Sequence, residues 1–151
     1  MSFKRVYTYL KNFDPSLEPL LFEEKMPTAQ EAALKLNVQL GQIAKSILFN
    51  CDGKYGLFVV AGDGKVNNKK AKLLLGGKKI KMASPEEVKE VTGFDVGGVC
   101  PFALAQEIPI FLDQSLKRFD CVYTAAGVAE PLLGITFEQL EEVTGGRVVD
   151  L

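Results

Sequence analysis

Lys45 interrupts an apolar run, Ile43-Ala44-Lys45-Ser46-Ile47, whose alternation predicts a strand. Ile43, Lys45 and Ile47 then share one face, and Ala44 and Ser46 the other. A lysine between two isoleucines either snorkels to a rim or aims its ammonium into a cavity. There it would serve as a point charge for a phosphate or a polarised carbonyl. A second segment, Thr92-Gly93-Phe94-Asp95-Val96-Gly97-Gly98-Val99-Cys100-Pro101-Phe102, sets three glycines and a proline among apolar residues. Gly97 and Gly98 would let backbone N–H groups converge on an oxyanion or carbonyl oxygen, and they equally suit a tight buried turn. A third, Tyr123-Thr124-Ala125-Ala126-Gly127-Val128, runs from a strand into small residues, which leave room for a ligand or for close strand packing.

Much chemistry is excluded by what is missing. The 151 residues hold no histidine, so there is no Ser-His-Asp or Cys-His nucleophile, no imidazole base and no histidine-bearing zinc site. No metal or other cofactor is expected. Cys51, Cys100 and Cys121 are odd in number and widely spaced, and they read as thiols in a reducing compartment rather than a disulfide framework. Cys100 has no neighbouring base to activate it and is expected to pack. The start, Met1-Ser2-Phe3-Lys4-Arg5, shows no signal-peptide pattern, and no apolar run approaches the roughly 18 residues of a membrane span. The expectation is a cytoplasmic protein without a membrane partner.

The formal net charge of -1 hides an uneven distribution. From Gln42 to Met82 nine lysines face only Asp52 and Asp63, giving +7, and the remainder carries -8. This asymmetry fits either a solvated lysine face or a surface for a polyanion, to which phosphates would be steered. Every one of the nine is Lys, so no guanidinium fork is available in that stretch.

The elements that must position these residues are marked by local signals. Thr28-Ala29-Gln30-Glu31, Ser84-Pro85-Glu86-Glu87 and Thr136-Phe137-Glu138-Gln139 open helices with capping boxes, and Asn67 caps a fourth. Gly76-Gly77, Gly93 and Gly145-Gly146 stop three of them. Strands are predicted at 43–49, 55–61, 79–82, 108–112, 121–125 and 147–151, with a weaker one at 19–23. Hairpin-like connections mixed with helical crossovers predict a mixed α/β fold, one sheet or partly closed barrel with helices outside. No linker or repeat divides the chain, so residues 1–151 are expected to form one domain.

Taken in order, Ala44-Lys45-Ser46, Ala61-Gly62-Asp63, Thr92-Gly93, Gly97-Gly98-Val99 with Pro101, Ile110 to Asp113, and Ala126-Gly127 followed by Leu140 resemble the YbaK/ProX family. Its members are free-standing aminoacyl-tRNA deacylases related to the editing domain of bacterial prolyl-tRNA synthetases, and the resemblance runs from about Thr28 to Leu151. It implies a barrel-like mixed sheet wrapped by helices. It also implies that Lys45 is the critical lysine, that Gly97-Gly98 lies near the scissile ester and that Gly127 lies on the opposite wall. The segment after Gly127 reads Val128-Ala129-Glu130-Pro131, where some members place His or Ser. Such an ester is already activated, so orientation and oxyanion stabilisation of a positioned water can suffice. The expected function is trans-editing hydrolysis of mischarged aminoacyl-tRNA. Lys45 and Gly98 are the catalytic candidates, and Ser46, Gly97, Pro101, Ala125, Ala126 and Gly127 the substrate contacts. The small residues Ala125 and Ala126 suggest a small aminoacyl group. Lys65, Lys69, Lys70, Lys72, Lys78 and Lys79 are candidate tRNA contacts. Aminoacyl-tRNA is the expected partner, with a synthetase as a further one and no DNA. The alternative is a catalytically silent tRNA- or synthetase-binding module of the same fold.

Overall fold

The computed structural model describes residues 2–19, 29–127 and 132–151. Its elements in chain order are α1 (Ser2–Phe13), α2 (Ala29–Leu36), β1 (Ala44–Cys51), β2 (Lys54–Ala61), α3 (Asn68–Leu75), β3 (Ile80–Met82), α4 (Pro85–Thr92), β4 (Ile110–Asp113), β5 (Val122–Ala125), β6 (Leu132–Ile135), α5 (Phe137–Thr144) and β7 (Arg147–Val149). Short 3-10 turns cover Leu40–Gln42 and Gln114–Arg118.

β1 and β2 form the central hairpin, antiparallel from Ala44↔Ala61 to Cys51↔Lys54. Asp52 and Gly53 turn it with φ of +52° and +86°, the pair of positive values a tight two-residue hairpin requires. β3 adds antiparallel to β1, and β4 and then β7 add in parallel beyond β2, giving the order β3-β1-β2-β4-β7. β5 and β6 make a separate antiparallel hairpin.

The expected barrel does not form. The five-stranded sheet is open, with the three-residue strands β3 and β7 at its edges. Among the described residues the β5–β6 hairpin meets it at one parallel bridge, Ile43 to Tyr123, too short a contact to close the sheet. The mixed α/β class holds.

Helices cover both faces, because β1 and β2 bury both sets of their alternating side chains. On one face Val6 and Leu10 of α1 and Leu140 and Val143 of α5 pack on Val59, Ala61 and Leu112, while Val88 and Val91 of α4 pack on Leu48 and Leu57. On the other, Ala71 and Leu75 of α3 cover Phe49, Phe58 and Phe111, with Phe58 and Phe111 stacked at 4.9 Å. α2 lays Ala32 and Ala33 against Ile43 and the partly buried Tyr123.

The caps behave as the sequence predicts. Asn67 accepts from the N–H groups of Lys69 and Lys70 at 3.0 and 3.2 Å. Reciprocal boxes close at Ser84/Glu87 and Thr136/Gln139, and Gly76, Gly93 and Gly145 end their helices in the left-handed conformation. Thr28 and most of the weak strand at 19–23 lie outside the described residues. α1 and β6 have no counterpart among the elements predicted above. α1 sets Phe3, Val6 and Leu10 at helical spacing. It is fixed from outside: Tyr9 donates to Val143 O at 2.9 Å, and Arg5 donates to Thr92 O at 3.1 Å while lying over the Phe94 ring.

Candidate functional site

The hairpin presents Lys45 at one end of the sheet. Lys45 is the second residue of β1, pairs with Val60 and is half-buried. Its side chain points to the α3 face, alternating with Ala44, which belongs to the core on the α1 and α5 side. Among the described residues its ammonium makes no hydrogen bond or ion pair.

The edge of β1 away from β2 is split. β3 pairs with it from Phe49 to Cys51, and β5 touches it at Ile43. Between these points, among the described residues, no strand pairs with that edge. Leu48 O accepts from Ala83 N–H there. Since alternate residues of an antiparallel strand turn both backbone groups to the same side, Ser46 presents its N–H and C=O to the opening. The Ser46 Oγ, on the face opposite Lys45, is buried without a hydrogen-bond partner among the described residues. A buried hydroxyl without a partner is an uncommon and costly feature.

The two glycine-containing walls come together through Cys100. Its Sγ lies 3.8 Å from Phe102 O and within reach of the Gly127 backbone. Burial pushes this thiol up to about 12, so it stays protonated and inert, a packing residue. Pro101 and Gly127 are buried, and Gly127 has a φ of +96°. Gly97 is exposed with a φ of +99° and open space around a notional Cβ, so backbone conformation rather than close approach calls for glycine there. Gly98 is buried and its N–H donates to Asp95 O at 3.0 Å, closing a turn; that donor is therefore already engaged. Ala125 is half-buried. Ala126 is fully buried in the main core, behind Ala125 in the chain.

Asp63 and Arg118 were not singled out as site residues in the sequence. Arg118 grips Asp63 with a two-pronged contact, Nη1 to Oδ2 at 3.1 Å and Nη2 to Oδ1 at 2.8 Å. Its Nε donates to Ser115 O at 2.8 Å. Ser115 is in turn held by Asp113, which caps the 3-10 turn and accepts from Leu151 N–H. The Arg118 hydrogen bonds, and more weakly the charge of Lys45, hold the Asp63 carboxyl below its ordinary range. Nothing in the local sequence signals this pair, because its members are 55 residues apart.

The lysines form a track rather than a ring around Lys45. Lys65 follows the end of β2 beside the Lys45 end of the hairpin. α3 carries Lys69, Lys70 and Lys72 back along the sheet and ends near the hairpin turn, where Lys54 Nζ donates to Gly76 O. Lys78 and Lys79 are exposed at that far end, and the Lys78 N–H donates to the Asp52 carboxylate. Lys70 also faces Asp150 at 3.9 Å. From Lys45 to Cys51 the strand spans roughly 20 Å at about 3.3 Å per residue.

The structure is thus an open mixed sheet with helices on both faces, with Lys45 beside the split edge of β1. Residues 23–143 match the family model described as an aminoacyl-tRNA editing domain, and the chain belongs to that family. It is 39% identical over 149 residues to the uncharacterized protein YwhH of Bacillus subtilis, covering 98% of this chain and 94% of that one. It is 33% identical to the proline–tRNA ligase of Bacillus licheniformis over 79% of this chain, which spans 23% of the ligase. A crystal structure of a candidate trans-editing enzyme for prolyl tRNA synthetase superposes with a TM-score of 0.92 at 35% identity, covering 99% of this chain and 96% of the other. α1 lies outside the residues that the family model matches. No helix among the described residues is long and apolar enough to cross a membrane.

Proposed function

We propose that residues 1–151 act as one trans-editing deacylase, which hydrolyses the ester of mischarged aminoacyl-tRNA in the cytoplasm. The observation that carries this reading is the unpaired Lys45 at the split edge of β1, joined along the α3 face to a run of lysines. Lys45 anchors the terminal phosphate and adenosine of the tRNA, with the stem following α3 past Lys65, Lys69, Lys70 and Lys72 to Lys78 and Lys79. Phosphate contacts of this kind position a nucleic acid without reading its sequence.

The reaction needs no protein nucleophile. A water held at the opening attacks the ester carbonyl carbon, the carbonyl oxygen gains charge, and the C–O bond to the ribose breaks. The ribose oxygen takes the proton that the water loses, which leaves free amino acid and tRNA. Gly98 N–H is the donor proposed for the oxyanion, and the substrate has to share it with Asp95 O or take it over. Ser46, Gly97, Pro101 and Gly127 bound the site. The small side chains of the half-buried Ala125 and of Ala126 behind it leave space for a small aminoacyl group such as alanine or serine.

A panel of mischarged tRNAs tests this. At subsaturating tRNA, hydrolysis is expected to be fastest for a small aminoacyl group and to fall roughly tenfold to a hundredfold in Lys45→Ala, the worth of one charge-assisted contact to phosphate. Wild-type rates in Lys45→Ala, or preference for a bulky residue, would contradict it. Binding of tRNA without any hydrolysis would instead identify a silent binding module.

A further inference from the structure

Lys45 is the cation that the proposed reaction needs free, yet a carboxylate, Asp63, sits at the same end of the hairpin and feels its charge. An unengaged carboxylate there would compete with substrate phosphate for the ammonium. Both Asp63 oxygens are instead occupied by Arg118. The guanidinium is itself braced by Ser115 O at 2.8 Å and lies over the Phe119 ring at 5.1 Å. Gly41 closes the arrangement from the third side. A Cβ at this buried glycine would stand 2.9 Å from both Arg118 Nη2 and Asp63 Oδ2, so the 3-10 turn leading into β1 packs directly on the pair.

We infer that Arg118 is a positioning residue: its fork sequesters Asp63 and so keeps the Lys45 ammonium available to the substrate. A planar fork suits this work, because it satisfies both carboxylate oxygens in one fixed direction. The inference rests on the role given to Lys45 above, and it assigns Asp63 an inhibitory potential rather than a catalytic one.

The test is a pair of substitutions read by steady-state kinetics, with the mischarged tRNA that the wild-type protein hydrolyses fastest as substrate. Arg118→Ala releases Asp63 and is expected to raise KM about threefold to fivefold, the upper part of the range of one partly exposed charge pair, with a smaller change in kcat. Adding Asp63→Asn in the same chain removes the competing charge and is expected to return KM to within about twofold of wild type. Arg118→Lys keeps the charge but loses the fork. It is expected to give a smaller KM rise, again reversed by Asp63→Asn, and it serves if the alanine variant does not fold. A merely structural role predicts that the double variant is no better than the single one, and that result overturns the inference, as does an unchanged KM in both Arg118 variants. Full activity of Lys45→Ala is a separate outcome and overturns the function proposed for Lys45 itself.

Discussion

At the scale of single residues, the chain separates groups that hold structure from groups left open. Glu87 is of the first kind. Its carboxylate accepts from Ser84 N–H at 3.0 Å, from Tyr55 OH and from Asn50 Nδ2 at 2.6 Å, tying α4 to the central hairpin. These hydrogen bonds, the one from the Ser84 backbone foremost, lower its carboxyl from 4.5 to about 2. A depressed carboxyl contributes stability above the unfolded value, and that contribution is lost as pH falls from about 4.5 toward 2. Glu87→Gln should therefore be less stable than wild type at neutral pH, and the difference should shrink across that acid range. Urea melts at stepped pH read this directly, and a gap that stayed constant would show that the charge does not matter. Ser46 and Lys45 are of the second kind, a buried hydroxyl and an ammonium without partners among the described residues.

At the scale of elements, α3 matters beyond its lysines, because its inner face closes the Phe49, Phe58 and Phe111 core. Its start depends on Asn67, whose side-chain oxygen satisfies two otherwise unpaired N–H groups. Asn67→Ala should lower unfolding free energy by about 1 kcal/mol with no change in urea m-value, since the core stays the same. A loss below the error of the melt would mean that α3 is held by its Leu75 and Ala71 contacts alone. The β5–β6 hairpin shows the converse dependence. It has a ladder of its own but is located by the Ile43–Tyr123 bridge and by Cys100 beneath the Gly127 backbone.

At the scale of the whole molecule, the net charge of -1 divides into a basic strip along the hairpin and α3 and an acidic remainder. If that strip carries the stem of a tRNA, affinity should fall steeply with salt as condensed counterions are released. Replacing Lys69 and Lys72 together by alanine should weaken all tRNAs to a similar degree and reduce the log–log salt slope by about 2. Lys70 is the poorer choice for this test, because Asp150 already faces it. Filter binding between low and physiological salt decides the matter, and an affinity nearly independent of salt would exclude the strip as a phosphate track.

What the sequence determined by itself is the local order: the caps at Asn67, Ser84 and Thr136, the glycine stops, and the alternation that puts Lys45 and Ser46 on opposite faces of β1. These features were legible because each depends on residues a few positions apart, through hydrogen bonds and periodicity written into adjacent side chains. The tertiary structure alone decided the rest. It opened the sheet where a barrel was expected, split the β1 edge between β3 and β5, engaged Gly98 N–H with Asp95 and turned Ala126 into the core. It also brought Arg118 to Asp63 across 55 residues, with Gly41 against both. Contacts of that separation depend on how whole elements pack, and no spacing rule in the chain encodes the packing of one helix or turn against another.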